Sequence, residues 1–219
     1  MLQRLLAALL LTALPATADD WSLGLAGGPF GFGRFAERTM IAETEAGTKR
    51  SEIHLSAATR PGLSADLQKR IGGRISARLE GTFTRSPVAV RGATGSGVAL
   101  DAGRIAVTTF ALPLVVHLRP GGALRFDLFA GPAYALYHVR RRRSGAGLAL
   151  FEGTRSGWGT VAGAGMAWRW NDRFALEGRA SDIATSSPMR RSDFPRNATG
   201  VRIPRPHNLH VTGGIRYSF

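Results

Sequence analysis

His207-Asn208-Leu209-His210-Val211-Thr212-Gly213-Gly214-Ile215-Arg216-Tyr217-Ser218-Phe219 closes the chain, and it alternates. Leu209, Val211, Ile215, Tyr217 and Phe219 fall on one face, and His210, Thr212, Arg216 and Ser218 on the other. Successive side chains of a β-strand point to opposite sides, so this period of two predicts a strand with one apolar and one polar face.

The same period recurs in seven earlier segments. Residues 174–183 set Phe174 and Leu176 against Glu177, Arg179 and Ser181. Before them, Trp158, Ala162, Ala164, Met166, Trp168 and Trp170 oppose Gly159, Gly163, Gly165 and Arg169. Residues 124–139 set Phe126, Leu128, Tyr134 and Leu136 against Arg125 and Asp127. The segment 103–118 starts with Ile105 and Val107 but continues with Phe110, Leu112, Leu114, Val116 and Leu118. Its apolar face switches near Thr108-Thr109, where a β-bulge is expected. Ile71, Ile75, Ala77, Leu79 and Phe83 oppose Arg74, Ser76, Arg78, Glu80, Thr82 and Thr84 in a third strand. Ile53, Leu55 and Ala57 mark a second over 52–60, and Trp21, Leu23 and Leu25 a first over 21–35.

The connections differ by side. Those after strands one, three, five and seven are long, about 36–51, 86–102, 140–156 and 184–206. Those at 119–122 and 171–173 are tight, and 61–69 is intermediate and fits least well. Long loops at one end and short turns at the other is the pattern of transmembrane β-barrels, whose short turns face the periplasm. The expectation is an all-β, closed antiparallel transmembrane β-barrel of eight strands over residues 19–219, with both termini periplasmic.

A soluble barrel with apolar residues inside would also alternate. The polar face is too charged for a soluble core: it carries Arg74, Arg78, Glu80, Arg125, Asp127, Arg169, Glu177, Arg179 and Arg216. In a narrow lumen these can pair, whereas an unpaired buried charge is costly. The opposite face is depleted of charge, as lipid requires. Trp21, Trp168, Trp170, Phe174, Tyr217 and Phe219 gather near the short-turn end, where an interfacial aromatic girdle belongs.

The N-terminus agrees with export. Met1-Leu2-Gln3-Arg4 is a short basic start, Leu5 to Leu14 is apolar, and Ala16-Thr17-Ala18 is an A-x-A site before Asp19. Residues 1–18 therefore read as a cleaved signal peptide, too short in their apolar run for the ~20 residues of a spanning helix. There is no cysteine for disulfides or thiolate metal sites. The net charge of +14 falls to +13 without Arg4 and predicts anionic neighbours.

The C-terminal stretch His207 to Phe219 resembles the β-signal of outer-membrane proteins, matching at alternate positions except the small Gly213. Phe110-Ala111-Leu112-Pro113-Leu114, Arg119-Pro120-Gly121-Gly122 and Ala130-Gly131-Pro132 resemble the centre of the outer-membrane β-barrel domain family of small eight-stranded proteins. The resemblance implies fold, outer-membrane location in a Gram-negative bacterium, and reading of Leu209, Val211, Ile215, Tyr217 and Phe219 by the barrel-assembly machinery. It implies no single activity.

Catalytic patterns are weak. His210 and Ser218 share a face but lie eight residues apart along one strand, too far to touch at ~3.3 Å per residue. The chain departs from the acyltransferase pattern and lacks metal-ligand spacing, so neither catalytic residues nor a cofactor or metal is expected. Gly159 to Gly165 lacks the strand-turn-helix setting of a nucleotide loop and suits close packing instead. Basic residues without interleaved aromatics argue against a nucleic-acid partner. Two readings stay open. One is a non-enzymatic structural or surface-interaction barrel; the other is a lipid A-modifying enzyme or narrow, porin-like transporter. For the first, Arg140, Arg141, Arg142 and Arg143 with Arg190, Arg191, Arg196, Arg202 and Arg205 are the candidate contacts to lipopolysaccharide or another polyanion.

Overall fold

The computed structural model of the chain describes residues 20–44, 47–92, 99–118, 122–141, 151–194 and 200–219. The signal segment 1–18 and Arg142, Arg143 and Arg196 lie outside these. The strands are β1 (Trp21–Phe32), β2 (Arg34–Thr44), β3 (Gly47–Ala57), β4 (Arg60–Gly72), β5 (Ile75–Gly92), β6 (Ala99–Ala111), β7 (Leu114–His117), β8 (Leu124–Arg141), β9 (Gly153–Arg169), β10 (Phe174–Thr185), β11 (Val201–Arg202) and β12 (His207–Ser218). β1–β2, β3–β4 and β6–β7 are interrupted single runs, so the wall has eight antiparallel staves, with β11 an added two-residue pairing on β2. β12 pairs with β10 on one side and β1 on the other, Leu23 facing Tyr217 and Leu25 facing Ile215. That pairing closes the barrel and leaves no edge, as a bilayer demands.

Two of the three interruptions fall at a proline or a glycine. Pro113 has no N–H to offer the ladder, yet its carbonyl accepts from Arg78 N at 3.0 Å, so the pairing carries through. At Gly33 a Cβ would stand 2.8 Å from the main chain of His207.

The second stave corrects the sequence reading. Residues 61–69 are not a connection but part of β4, which runs on to Gly72 and turns at Gly73-Arg74. Pro61 looked like a breaker, but it faces Pro29 across the ladder, so two missing donors share one rung. Ile71 consequently ends the second stave rather than starting the third. The spans 36–51 and 86–102 are largely strand too, because β2/β3 and β5/β6 continue beyond the apolar belt. Ser86, read as a loop residue, is buried and donates to Ala58 O at 2.5 Å.

The expected bulge is displaced. Ile105, Val107, Thr109, Ala111, Val115 and His117 all point inward, so alternation passes through Thr108-Thr109 unbroken. The register shift lies where Val88 and Ala89 face Gly103 and Asp101, leaving Ala102 as the extra residue. Gly103 has φ 140°, which suits a bulge glycine.

What changes near Thr108 is the chemistry of the lumen. In the half away from the termini the interior is apolar: Phe35, Leu55, Val88, Val90, Ile105, Val107, Tyr137 and Val139 pack together. Ile53, Leu55 and Ala57 therefore serve the interior rather than lipid. A second cluster of Val115, Phe129, Ala133, Val161 and Ile183 lies next to it. Below, the lumen is ionic. Small wall residues make this filling possible: a Cβ at Gly163 would stand 2.5 Å from Phe129 Cζ.

Outside, Leu25, Leu63, Leu79, Phe83, Phe110, Leu112, Leu128, Trp158, Leu209 and Ile215 are exposed around the whole circumference. A soluble monomer rarely exposes contiguous apolar surface beyond a few hundred Å². On β8 the outward positions from Leu124 to Leu136 span twelve steps. At ~3.3 Å per residue and ~40° tilt they cover about 30 Å, the thickness of a hydrocarbon core.

Candidate functional site

Three polar constellations stand out from this wall. The first is an ion network filling the lower lumen. Arg216 donates from Nη2 to Asp66 Oδ1 at 2.6 Å and Glu177 Oε1 at 3.1 Å, from Nε to Glu177 Oε2 at 3.1 Å, and from Nη1 to Ser22 Oγ at 2.9 Å. Arg179 reaches Glu80 at 3.2 Å and Asp66 Oδ2 at 3.0 Å. Arg78 donates twice to Gln68 Oε1, at 2.9 and 3.1 Å, and lies 3.8 Å from Asp66. Its guanidinium also sits over the Phe129 ring at 5.3 Å, capping the ionic layer with the apolar one. Three guanidinium groups thus meet three carboxylates, Asp66, Glu80 and Glu177, in one buried cluster.

Of the nine residues expected in the lumen, the structure brings Arg78, Glu80, Glu177, Arg179 and Arg216 together. Asp127 is buried nearby and pairs with the partly exposed Arg125 at 3.0 Å. Arg74 and Arg169 stand apart: Arg74 is exposed in the turn after β4, and Arg169 is exposed at the end of β9. Both sit too near the stave ends to reach the cluster. Asp66 and Gln68 had been missed because 61–69 was read as a connection; Leu63-Ser64-Ala65-Asp66-Leu67-Gln68 alternates plainly once Pro61 is discounted.

The second constellation joins Ser76, His117 and Asp127. Ser76 Oγ lies 2.8 Å from His117 Nε2, and His117 Nδ1 lies 2.7 Å from Asp127 Oδ1. Gln68 Nε2 is 3.5 Å from the same Nε2. The order matches a nucleophile, base and orienting acid, and neither His117 nor Ser76 was singled out in the sequence. Access decides against that chemistry. Ser76 is 0 % exposed, and the hollow it borders with Arg125 and Arg169 has a volume of about 90 Å³. A reacting carbon must come within about 3.5 Å of the oxygen. The chain Asp127–His117–Ser76 instead fixes one imidazole tautomer and satisfies three buried polar groups. Among the described residues no group of three His, Asp or Glu side chains is disposed to hold a metal.

The lower outer rim carries the aromatic residues. Phe174 packs tilted against Tyr217 at 5.1 Å, Tyr217 meets Phe219 edge-on at 5.2 Å, and Lys69 lies over Trp21 at 5.1 Å. Both termini and the turns at 73–74 and 170–173 share this end. The fold is that of a small outer-membrane β-barrel.

No family model matches the chain, and no curated protein matches it in sequence. The comparison with solved structures is positive. The outer membrane protein OprG from Pseudomonas aeruginosa superposes with TM-score 0.60 at 14% identity, covering 92% of this chain and 97% of that one. Neisserial surface protein A (NspA) gives TM-score 0.50 at 11% identity, covering 91% and 97%. At such identities the likeness speaks for the fold alone. With the lipid-thick apolar belt and the girdle at the short-turn end, it makes this chain a multi-pass outer-membrane protein with periplasmic termini.

The third constellation is at the opposite, exterior end. Arg140 and Arg141 end β8, Arg190 precedes and Arg191 opens the 3-10 turn Arg191–Asp193, and Arg202 lies in β11, all exposed, as is Arg205. Arg155 organises this last loop, donating to Asp193 at 2.5 and 2.6 Å and to Pro188 O at 2.8 Å. Burial opposes ionisation of Asp193, but the Arg155 hydrogen bonds, the Arg190 N–H and the charges of both arginines together outweigh it and hold the carboxyl below its ordinary range.

Proposed function

We propose that the protein is a non-enzymatic outer-membrane barrel whose basic exterior end contacts lipopolysaccharide or another surface polyanion. The observation that carries this reading is the neutrality of the lumen. Three arginines cancel three acids inside, so the chain's net charge of +14, or +13 without Arg4, resides outside that cluster. At the exterior end Arg140, Arg141, Arg190, Arg202 and Arg205 are exposed, and guanidinium groups there stay charged at any relevant pH. The ionic and apolar layers that fill the lumen weigh against a transport path, and the inaccessible Ser76 weighs against hydrolysis by the Ser76–His117–Asp127 chain. The reading includes removal of residues 1–18 by signal peptidase and capture of the Leu209–Phe219 pattern by the assembly machinery.

The test is binding of refolded full-length barrel to immobilised heparin and to the lipid-free core oligosaccharide of lipopolysaccharide across salt concentrations. Binding should weaken steeply between low and physiological ionic strength, since exposed charges are screened over ~8–10 Å. Replacing Arg190, Arg191, Arg202 and Arg205 by Gln should reduce it further with β-sheet circular dichroism unchanged. A Gln variant that binds like the parent at every salt concentration removes the reading.

A further inference from the structure

Arginines also stand where none was expected, on the outer wall itself. Arg85 of β5, Arg104 of β6 and His138 and Arg140 of β8 all point away from the lumen. The register gathers them: Arg104 faces Arg140, while Ala106 faces both Arg85 and His138. Together these five residues line a hollow of about 120 Å³ whose floor is the small Ala106. His138 Nδ1 lies 2.9 Å from Thr154 Oγ1, which fixes the ring and leaves Nε2 to the hollow.

Like charges directly opposite on neighbouring strands destabilise a sheet, and Arg104 against Arg140 is such a pair. Among the described residues no ion pair involves Arg85, Arg104 or Arg140. Asp101 lines an adjoining hollow with Arg104, Arg140 and Arg141, and its Oδ1 accepts from Gly103 N at 3.0 Å. Among the residues that line the two hollows, one acid, Asp101, stands against the four guanidinium groups of Arg85, Arg104, Arg140 and Arg141.

Its height on the barrel selects the counter-anion. The outward row below is Phe83, Thr108 and Leu136, and below that Gly81, Phe110 and Tyr134, with Trp158 against Tyr134 at 4.8 Å. The cations therefore begin one outward position above an apolar belt about 30 Å tall. An anion at that depth must be attached to acyl chains that lie along Phe83, Phe110 and Leu136.

We propose that Arg85, Arg104, His138 and Arg140 form a seat on the outer wall for a phosphate of lipid A. One lipid is held from the side, its phosphate accepting from the guanidinium groups and its chains against the belt. The assignment rests on the exterior reading only for orientation, because the seat uses Arg85 and Arg104, which belong to no loop.

The test compares three probes on full-length barrel in phosphatidylcholine nanodiscs: bisphosphorylated lipid A, the same lipid A dephosphorylated, and inorganic phosphate, with bound lipid counted by native mass spectrometry. The parent should retain bisphosphorylated lipid A about tenfold better than the dephosphorylated form, as expected for charge-assisted bonds partly screened at an interface. Arg85→Gln/Arg104→Gln should lose that preference while keeping heparin binding and the heat-modifiable fold. Arg85→Lys/Arg104→Lys, which keeps the charge, should retain part of it. The loop variant at Arg190, Arg191, Arg202 and Arg205 should do the reverse, losing heparin and keeping lipid A, so the two readings fail separately. A folded Gln pair that still prefers the bisphosphorylated lipid overturns the seat. So does a parent that binds inorganic phosphate as well as lipid A.

Discussion

Arg216 Nη2 and Asp66 Oδ1 lie 2.6 Å apart, 150 residues apart in the chain, and tie the last stave to the second across the lumen. The first stave lies between them in the wall, and a Cβ at its Gly24 would stand 2.6 Å from Asp66 Oδ2 and 2.8 Å from Arg216 Nη2. The pair therefore acts as a strut that crosses behind β1, and β1 is built with a glycine to let it pass.

Asp66 serves three arginines at once, so its loss should cost more than the loss of Glu80, which serves one. Removing one member of a buried ionic cluster typically costs about 3–5 kcal/mol, mostly from the charges left without partners. Asp66→Ala should lower the urea midpoint of refolded barrel well below that of Glu80→Ala. Both should fall below Ser192→Ala in the exposed final loop; Ser86 is unsuitable as a reference, being buried. Equal midpoints for Asp66→Ala and Ser192→Ala would mean that water already supports the cluster.

The sequence was legible wherever the two faces of a strand differ. Leu209, Val211 and Ile215 against His210 and Arg216 could be read directly, because lipid lay on one side and charges on the other. Contrast vanished in the exterior half, where Leu55, Ile105 and Val107 make the lumen apolar as well. There alternation of apolar with apolar, or of apolar with Arg85 and Arg104, reads as a loop or a slipped face. The Ser76–His117–Asp127 chain and the Arg85–Arg104–Arg140 patch were hidden for another reason. Each joins neighbouring staves, and strand register between distant segments is set by pairing that a single sequence does not display.

The final loop should loosen in acid. Asp193 has its carboxyl held below the ordinary value, chiefly by Arg155 against the opposing effect of burial. A depressed carboxylate contributes stability that is complete above its unfolded value and is lost as pH falls through the folded one. The window is therefore below about pH 4, and no change is expected between pH 5 and 8. Pepsin cleavage within 186–206, normalised to an unstructured peptide, should rise as pH falls through this window in the parent. Asp193→Asn should show the raised cleavage at every pH in the window. Superimposable curves for the two proteins would show that Arg155 and Asp193 do not hold the loop.

Assembly should depend on the last residue. Phe219 N donates to Trp21 O at 3.0 Å, making the final main-chain bond between the last stave and the first. Its ring meets Tyr217 edge-on at 5.2 Å, and Tyr217 meets Phe174 at 5.1 Å, so one aromatic row joins the end of the last stave to β10 at the periplasmic rim. Aromatic rings favour that interface because one edge is wet and the other apolar. Deleting Phe219 removes the bond and the end of the row while leaving the lumen cluster intact. The quantity of heat-modifiable barrel in outer membranes should fall severalfold. The fraction that does fold should unfold in urea near the parent midpoint, because the strut between Arg216 and Asp66 is untouched. Unchanged amounts in the deletion strain would remove Phe219 from the assembly signal. A large drop in midpoint with normal assembly would assign it to stability instead.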